Sequence, residues 1–264
     1  MFKKLSNNLF RSKRKPTVSY HGNYSQWKDA IDHSVGYQDD KILEKATQSF
    51  EKIISGEFKC ERDTFLFNQF QYSLPLLLAL NFIQQRIEKL SVLDFGGSFA
   101  SGYFRNFDVL KQFNLLWTVV EQPNLVERAS SMTRNYSELC FKTVNELNDL
   151  ISKMEYNVVL FGSCLQFLQT PKQIVEKLSH SKLQAFVIER TPIVYEENTK
   201  LTVQEIHEPI YESSYPAWHF SEKELMSWFT DDFELRYKFN GPHIINKCDG
   251  FQSQLEDYVF TRKK

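Results

Sequence analysis

Val92-Leu93-Asp94-Phe95-Gly96-Gly97-Ser98-Phe99-Ala100-Ser101 is the stretch that decides how the rest of the chain is read. A short apolar run interrupted by one acid leads into two glycines and then into a helix-compatible segment, which is the pattern of a buried strand, a tight turn and a helix start. Working outward, Leu116-Trp117-Thr118-Val119-Val120-Glu121 reads as a second buried strand ending in an acid. Further strands are expected at residues 156–161 and 185–189, each separated from the last by a helix-compatible segment. Thr170-Pro171-Lys172-Gln173 and Ser221-Glu222-Lys223-Glu224 are helix starts, with a hydroxyl at the cap position and, in the first, Pro at the first helical position. Two strand-like runs, 233–239 and 258–261, close the chain around a polar loop through Gly241-Pro242. Alternating strand and helix followed by two consecutive strands predicts an α/β fold: a mostly parallel sheet, helices on both faces, and an antiparallel addition at its end.

Upstream of residue 91 no alternating strand stands out. A helix is expected from an Asp39-Asp40 cap through Ile42, Ala46, Phe50, Ile53 and Ile54, stopping before Gly56. A second is expected over residues 64–89, broken or kinked by Pro75 near Ser73. Three parts follow: a basic tail (1–18), an N-terminal helical cap (19–90) and the α/β domain (91–264).

Composition narrows the function classes. With 42% hydrophobic and 25% charged residues, disorder as the main state is excluded. The 32 basic and 33 acidic side chains nearly cancel, so nucleic acid is not expected as a partner. The balance is uneven along the chain: residues 1–28 carry seven Lys/Arg and no acid, leaving 25 basic against 33 acidic from Asp29 onward. Phe2, Leu5, Leu9 and Phe10 recur at helical spacing within the basic start, a pattern suited to peripheral contact with an anionic membrane surface. No secretory h-region follows Lys15, and the longest apolar stretch, Leu74 to Leu80, is far short of the ~20 residues a membrane span needs. Cys60, Cys140, Cys164 and Cys248 are scattered, with neither CxxC nor metal-ligand spacing, which fits reduced thiols in a cytoplasmic protein and no metal site.

The chemistry sits at the glycine turn. In an open α/β sheet, ligands bind beyond the carboxyl ends of the strands at the switch point. Glycine there allows close backbone approach, and the following helix start offers unpaired N–H groups. Glu121 lies 27 residues after Asp94, at the end of the next strand, where a carboxylate can accept from both hydroxyls of a ribose. Together they describe a nucleoside site. The G-x-G-x-x-G of dinucleotide folds is absent, and Asp94 is awkward beside a diphosphate but suits a cationic or zwitterionic ligand such as S-adenosylmethionine.

The segment Val92 to Gly102, Glu121, the two terminal strands and Phe220-Ser221-Glu222-Lys223-Glu224-Leu225 resemble a class I S-adenosylmethionine-dependent methyltransferase. More narrowly, Tyr24-Ser25-Gln26-Trp27, Glu61-Arg62-Asp63, Gln71-Tyr72-Ser73, Leu93 to Ser98, Val120-Glu121-Gln122-Pro123, Glu189-Arg190-Thr191-Pro192 and Tyr215-Pro216-Ala217-Trp218-His219-Phe220 resemble a bacterial methyltransferase family often encoded among surface-polysaccharide biosynthesis genes. The resemblance covers nearly the whole chain after residue 20. It implies a Rossmann-like, seven-stranded sheet whose last strand is antiparallel, and S-adenosylmethionine as cofactor. It places the cofactor against Asp94, Gly96, Gly97, Ser98, Glu121, Gln122 and Ser163, and implies a saccharide or saccharide-linked acceptor. Ser98 and Ala100 stand where the general D-x-G-x-G-x-G pattern has glycine, which puts the loop geometry in question. Cys140-Phe141-Lys142-Thr143 offers no carboxylate for an adenine amino group.

A sulfonium donor carries its own reactivity, so few residues need be catalytic; a hydroxyl acceptor benefits from a general base. Glu189 and His219 are the candidates for it. Tyr215 and Trp218 are candidate platforms for a sugar, and Tyr72 a candidate lid. Two other readings stand beside this one: a non-catalytic methyltransferase-like scaffold at the membrane, and an α/β-hydrolase with Ser98 as nucleophile in a small-x-Ser-x-small elbow.

Overall fold

The computed structural model describes residues 17–36, 40–153, 156–179, 182–229 and 231–264, so the basic stretch 1–16 and the Asp39 cap lie outside it. In chain order the elements are β1 (Val18–His21), α1 (Trp27–Asp32), α2 (Asp40–Ile54), β2 (Cys60–Arg62), β3 (Phe65–Phe67), α3 (Leu74–Gln84) and β4 (Leu90–Phe95). Next come α4 (Ser101–Arg105), α5 (Phe107–Leu110), β5 (Leu115–Glu121), α6 (Pro123–Met132), β6 (Leu139–Thr143), α7 (Leu147–Lys153), β7 (Val158–Gly162) and α8 (Pro171–Leu178). The chain finishes with β8 (Ala185–Val194), β9 (Lys200–Ile206), β10 (Ser213–Ser221), α9 (Glu222–Ser227), β11 (Phe233–Cys248) and β12 (Phe251–Arg262).

Ten strands form one sheet that divides into two parts. The larger part has the order β6-β5-β4-β7-β8-β12-β11, seven strands in which β4 to β8 run parallel and the last in sequence, β12, is antiparallel to both its neighbours. This is the expected arrangement. Strands buried on both faces explain the continuous apolar runs. On β4, Val92 faces a core built with α2, α3, α4 and α6 (Phe50, Leu76, Leu80, Tyr103, Ala129), while Leu93 and Phe95 face one built with α7, α8 and α9 (Leu150, Val175, Leu225). The helix starts at Pro171 and Glu222 are where the sequence places them.

The smaller part departs from expectation. Beyond the end of β7, β8 continues to Val194 and pairs there with β10, which with β9 and β1 forms an antiparallel ribbon. Residues 200–221, read from sequence as connection and aromatic motif, are therefore mostly strand, and the expected helical cap also contains β1, β2 and β3. The expected helix over 64–89 is confined to α3. Pro75 opens it instead of kinking it, because a proline lacks the N–H that the first turn leaves unpaired anyway, and Ser73 caps it by accepting from the Leu76 N–H at 3.1 Å. Among the described residues no helix is long and apolar enough to cross a membrane.

Candidate functional site

The carboxyl ends of β4, β5, β7 and β8 open into a cavity of about 800 Å³, toward the upper end of the range for small-molecule sites. Its floor is the glycine turn. Gly96 sits at φ +67°, and a Cβ there would lie 2.7 Å from Cβ of Cys164; a Cβ on Gly97 would lie 2.4 Å from the Asp94 carboxyl. The turn thus folds back onto Asp94 with no room for a side chain. Ser98 (φ 52°) and Ala100 (φ 62°) also adopt left-handed conformations. Both are conformations that glycine takes freely and that cost a residue with a Cβ about 1–2 kcal/mol each.

Asp94 is 1% exposed and accepts from the Trp117 indole N–H at 3.2 Å. Burial pushes its carboxyl up to about 8; the Trp117 bond opposes this, while Glu189 and Glu121 add to it. At neutral pH the free protein therefore holds Asp94 mainly protonated. Glu121, at the end of β5, accepts from the backbone N–H of Ser98 (3.2 Å) and Gln122 (2.9 Å), one bond to each oxygen, leaving a lone pair on each for a ligand hydroxyl. Burial raises its carboxyl, and the two N–H bonds hold it back. Asp94, Gly96, Gly97, Ser98, Glu121, Gln122 and Ser163 all line this one cavity.

On the opposite side the sequence singled out Glu189 and Tyr215, but not the partners that hold this wall together. Glu189, at 5% exposure, accepts from the Ser73 hydroxyl and lies 3.5 Å from Arg105, whose Nε donates to the Gln71 carbonyl at 2.9 Å. Arg190 (φ 53°) pairs with Asp63 at 2.7 Å, and its backbone N–H donates to Asp257, also at 2.7 Å. Burial pushes the Asp257 carboxyl up to about 6, with the Arg190 N–H opposing. The inserted ribbon supplies Tyr20, Gln204 and Tyr215, and Tyr211 comes from the β9–β10 loop. Of the six non-glycine residues at positive φ among those described, five (Asp63, Thr64, Ser98, Ser163, Arg190) line this cavity. Such strain persists only where the surroundings over-determine it, and it gathers at ligand sites.

Three expectations are corrected. His219 does not reach the cavity. It is fully buried between Tyr20 and Phe251, shares hydrogen bonds with Ser253 Oγ (2.7 Å) and Thr202 Oγ1 (3.1 Å), and burial pushes its pKa down to about 3. A ring held neutral in the core cannot take a proton from an acceptor. Trp218 stacks on Trp27 and donates to the Leu168 carbonyl, and it is not among the residues that line the cavity; of that motif Tyr215 and Pro216 are. Tyr72 is half exposed and donates to Asp108 at 2.7 Å instead of covering the site. The hydrolase reading also loses its base, since no histidine is among the cavity residues beside Ser98.

No protein-family model matches the chain, and no curated protein matches it. Solved structures do. The N-terminal domain of EvdMO1, in the presence of SAH and D-fucose, superposes with a TM-score of 0.50 at 10% identity, over 85% of this chain and 97% of that one. Two weaker likenesses are the CcbJ methyltransferase from Streptomyces caelestis (TM-score 0.46, 14% identity, 72% of this chain and 90% of that one) and CalS10, an amino pentose methyltransferase from Micromonospora echinaspora (0.44, 12%, 72% and 90%). At such identities the likeness is one of fold, and it agrees with the strand order found above: the chain has the Rossmann-like class I methyltransferase fold.

Proposed function

We propose that this chain is an S-adenosylmethionine-dependent methyltransferase acting on a hydroxyl or amine of a saccharide or saccharide-linked acceptor in surface-polysaccharide assembly. The observation that carries it is the pairing, at the sheet's switch point, of a side-chain-free turn folded onto Asp94 with Glu121 at the end of the next strand. EvdMO1, which shares the fold, was crystallised with SAH and D-fucose, and the ligand classes proposed here are the same.

The residues fit this cofactor. Glu121 has acceptor capacity left for the two ribose hydroxyls, and Asp94 gains a counter-charge from a cationic ligand. Leu125 and Val144 offer an apolar slot for a base beside Gln122. When bound, the cofactor supplies a methyl group activated by its sulfonium. What the chain contributes is alignment, exclusion of water and a place for the acceptor's proton. Glu189 is the carboxylate on the acceptor side, and it keeps free lone pairs beyond those used by Ser73 and Arg105.

Calorimetric titration of the full chain with S-adenosylhomocysteine tests the reading. Binding is expected, weakened about tenfold to a hundredfold in Glu121→Ala by loss of charge-assisted bonds. No binding to the wild type overturns the proposal. Labelled methyl transfer to nucleotide-linked and lipid-linked sugars is expected to fall about 10²- to 10⁴-fold in Glu189→Gln with cofactor affinity retained. Unchanged turnover removes Glu189 as the base.

A further inference from the structure

Glu61-Arg62-Asp63 stands out in the sequence and has no role in cofactor binding as derived above. The structure places it on the β2–β3 hairpin, whose two-residue turn is Asp63 (φ 52°) and Thr64 (φ 68°). Hairpin turns of this hand ordinarily use Gly or Asn, so a pair of bulkier residues is held there by its surroundings. Four contacts hold it. Glu61 accepts from the Thr64 N–H at 3.0 Å and from the Ser101 hydroxyl at the start of α4, Ser49 donates to the Thr64 carbonyl at 3.1 Å, and Asp63 pairs with Arg190 at 2.7 Å. The hairpin is thereby clamped with Glu61, Arg62, Asp63 and Thr64 all on the cavity wall.

Three arginines line that wall: Arg62, Arg105 and Arg190. Two are matched, Arg105 by Glu189 at 3.5 Å and Arg190 by Asp63 at 2.7 Å. Among the described residues Arg62 has no acid within 4.0 Å; its guanidinium lies 5.6 Å from the centroid of the Phe67 ring. A guanidinium cannot shed its charge at physiological pH, and a half-buried one without a counter-charge is completed by an oxyanion, which it can grip with two parallel bonds. Burial and the like charges of Arg190 and Arg105 act in the same direction on this group, disfavouring its cation, with Asp63 only partly offsetting them.

We propose that Arg62 is the anion-binding residue of the acceptor subsite, and that the acceptor is an acidic saccharide carrying a carboxylate or phosphate that Arg62 receives. The inference rests on the methyltransferase reading of the same cavity. Arg62 immediately precedes Asp63, whose carboxylate is bonded to Arg190, the residue after Glu189 on β8, and this sets Arg62 on the side of the cavity that carries Glu189. Tyr211, Tyr215 and Gln204 on that side supply the flat apolar faces and polar tips that suit a sugar ring.

The test uses the full chain loaded with S-adenosylhomocysteine, titrated with glucuronate, glucose 1-phosphate and the neutral methyl glucoside. One of the two anions is expected to bind the wild type and to bind Arg62→Gln at least about tenfold more weakly, with Arg62→Lys intermediate. The neutral sugar is expected to show no dependence on residue 62, and S-adenosylhomocysteine to bind wild type and both variants alike, which also verifies that the variants fold. The anion that binds identifies carboxylate or phosphate as the recognised group. Equal anion affinity in wild type and Arg62→Gln, or no anion binding at all, overturns the inference. So does loss of S-adenosylhomocysteine binding in the variants alone, which assigns Arg62 to the donor. Failure of S-adenosylhomocysteine to bind the wild type overturns the methyltransferase reading itself, so the two failures are distinct.

Discussion

In the proposed reading, Asp94 is expected to make S-adenosylmethionine binding a proton-release reaction below about pH 8. Its carboxyl is buried, raised to about 8 chiefly by that burial, and therefore mainly neutral in the free protein at pH 7. A cationic ligand beside it favours the ionised form, so binding must expel the proton. If the bound carboxyl returns to the ordinary range, affinity falls about tenfold for each pH unit below 8, or about a hundredfold between pH 8 and pH 6. The same shift has a folding consequence of definite sign. Because the folded value lies above the unfolded one, the folded state holds the extra proton between about pH 4 and pH 8. Stability is then full below that window and declines as pH rises through it, by about 4 kcal/mol at pH 7. The assay is calorimetry with S-adenosylmethionine in buffers of different ionisation enthalpy from pH 6 to 8, on wild type and Asp94→Asn, with denaturant unfolding in parallel. The ligand's own amine titrates identically with both proteins, so the difference isolates the carboxylate. Wild type is expected to release close to one additional proton at pH 6, and Asp94→Asn to be the more stable protein at pH 7 but not near pH 4. Equal proton release and parallel stability profiles would refute the reasoning.

Two substitutions separate the site from the core. Gly96→Val forces a β-branched residue into φ +67° with its Cβ 2.7 Å from that of Cys164; it is expected to abolish S-adenosylhomocysteine binding and to lower stability by about 2 kcal/mol or more, read by calorimetry and thermal melting. His219→Ala is expected to destabilise by about 2–4 kcal/mol, through a cavity and the loss of the hydrogen bonds shared with Ser253 and Thr202, while leaving kcat per folded molecule unchanged; a fall in kcat without loss of stability would return His219 to the mechanism. Since His219 is pushed down to about 3 when folded, its contribution is present above about pH 6.5 and is lost as pH falls toward 3, a trend the Ala variant should lack.

What could be read from the sequence divides along physical lines. β4 and β5 are buried on both faces, so they appear as apolar runs, and Asp94, Gly96 and Glu121 stand at or just beyond their ends. β1, β2, β3, β9 and β10 are short or carry polar residues inward. Thr202 and Gln204 on β9 are buried, and Pro216 sits inside β10. A period of two is hard to see in such strands, and their partners are remote: Val18 pairs with Ile206. His219 illustrates the consequence. Its hydrogen-bonding partners lie 17 and 34 residues away, so which way its ring faces depended on a strand pairing that no local pattern reveals.

That division has a functional meaning. In the proposed reading, the donor side of the cavity is built from the parallel core, where the turn after β4 and the acid at the end of β5 follow from the fold's own geometry. The acceptor side is built from the β2–β3 hairpin, the β1–β9–β10 ribbon and the positive-φ residues Ser163 and Arg190, which stitch β7 and β8 to them: the Ser163 N–H donates to the Glu189 carbonyl at 2.9 Å, and Arg190 clamps Asp63. Fold alone therefore speaks to the cofactor and says little about the acceptor. In that reading, acceptor choice rests on Arg62, Glu189, Tyr211 and Tyr215. Three of these four lie on the hairpin, the ribbon or the β9–β10 loop, and Glu189, in mid-β8 opposite the end of β7, is the point where the two halves meet.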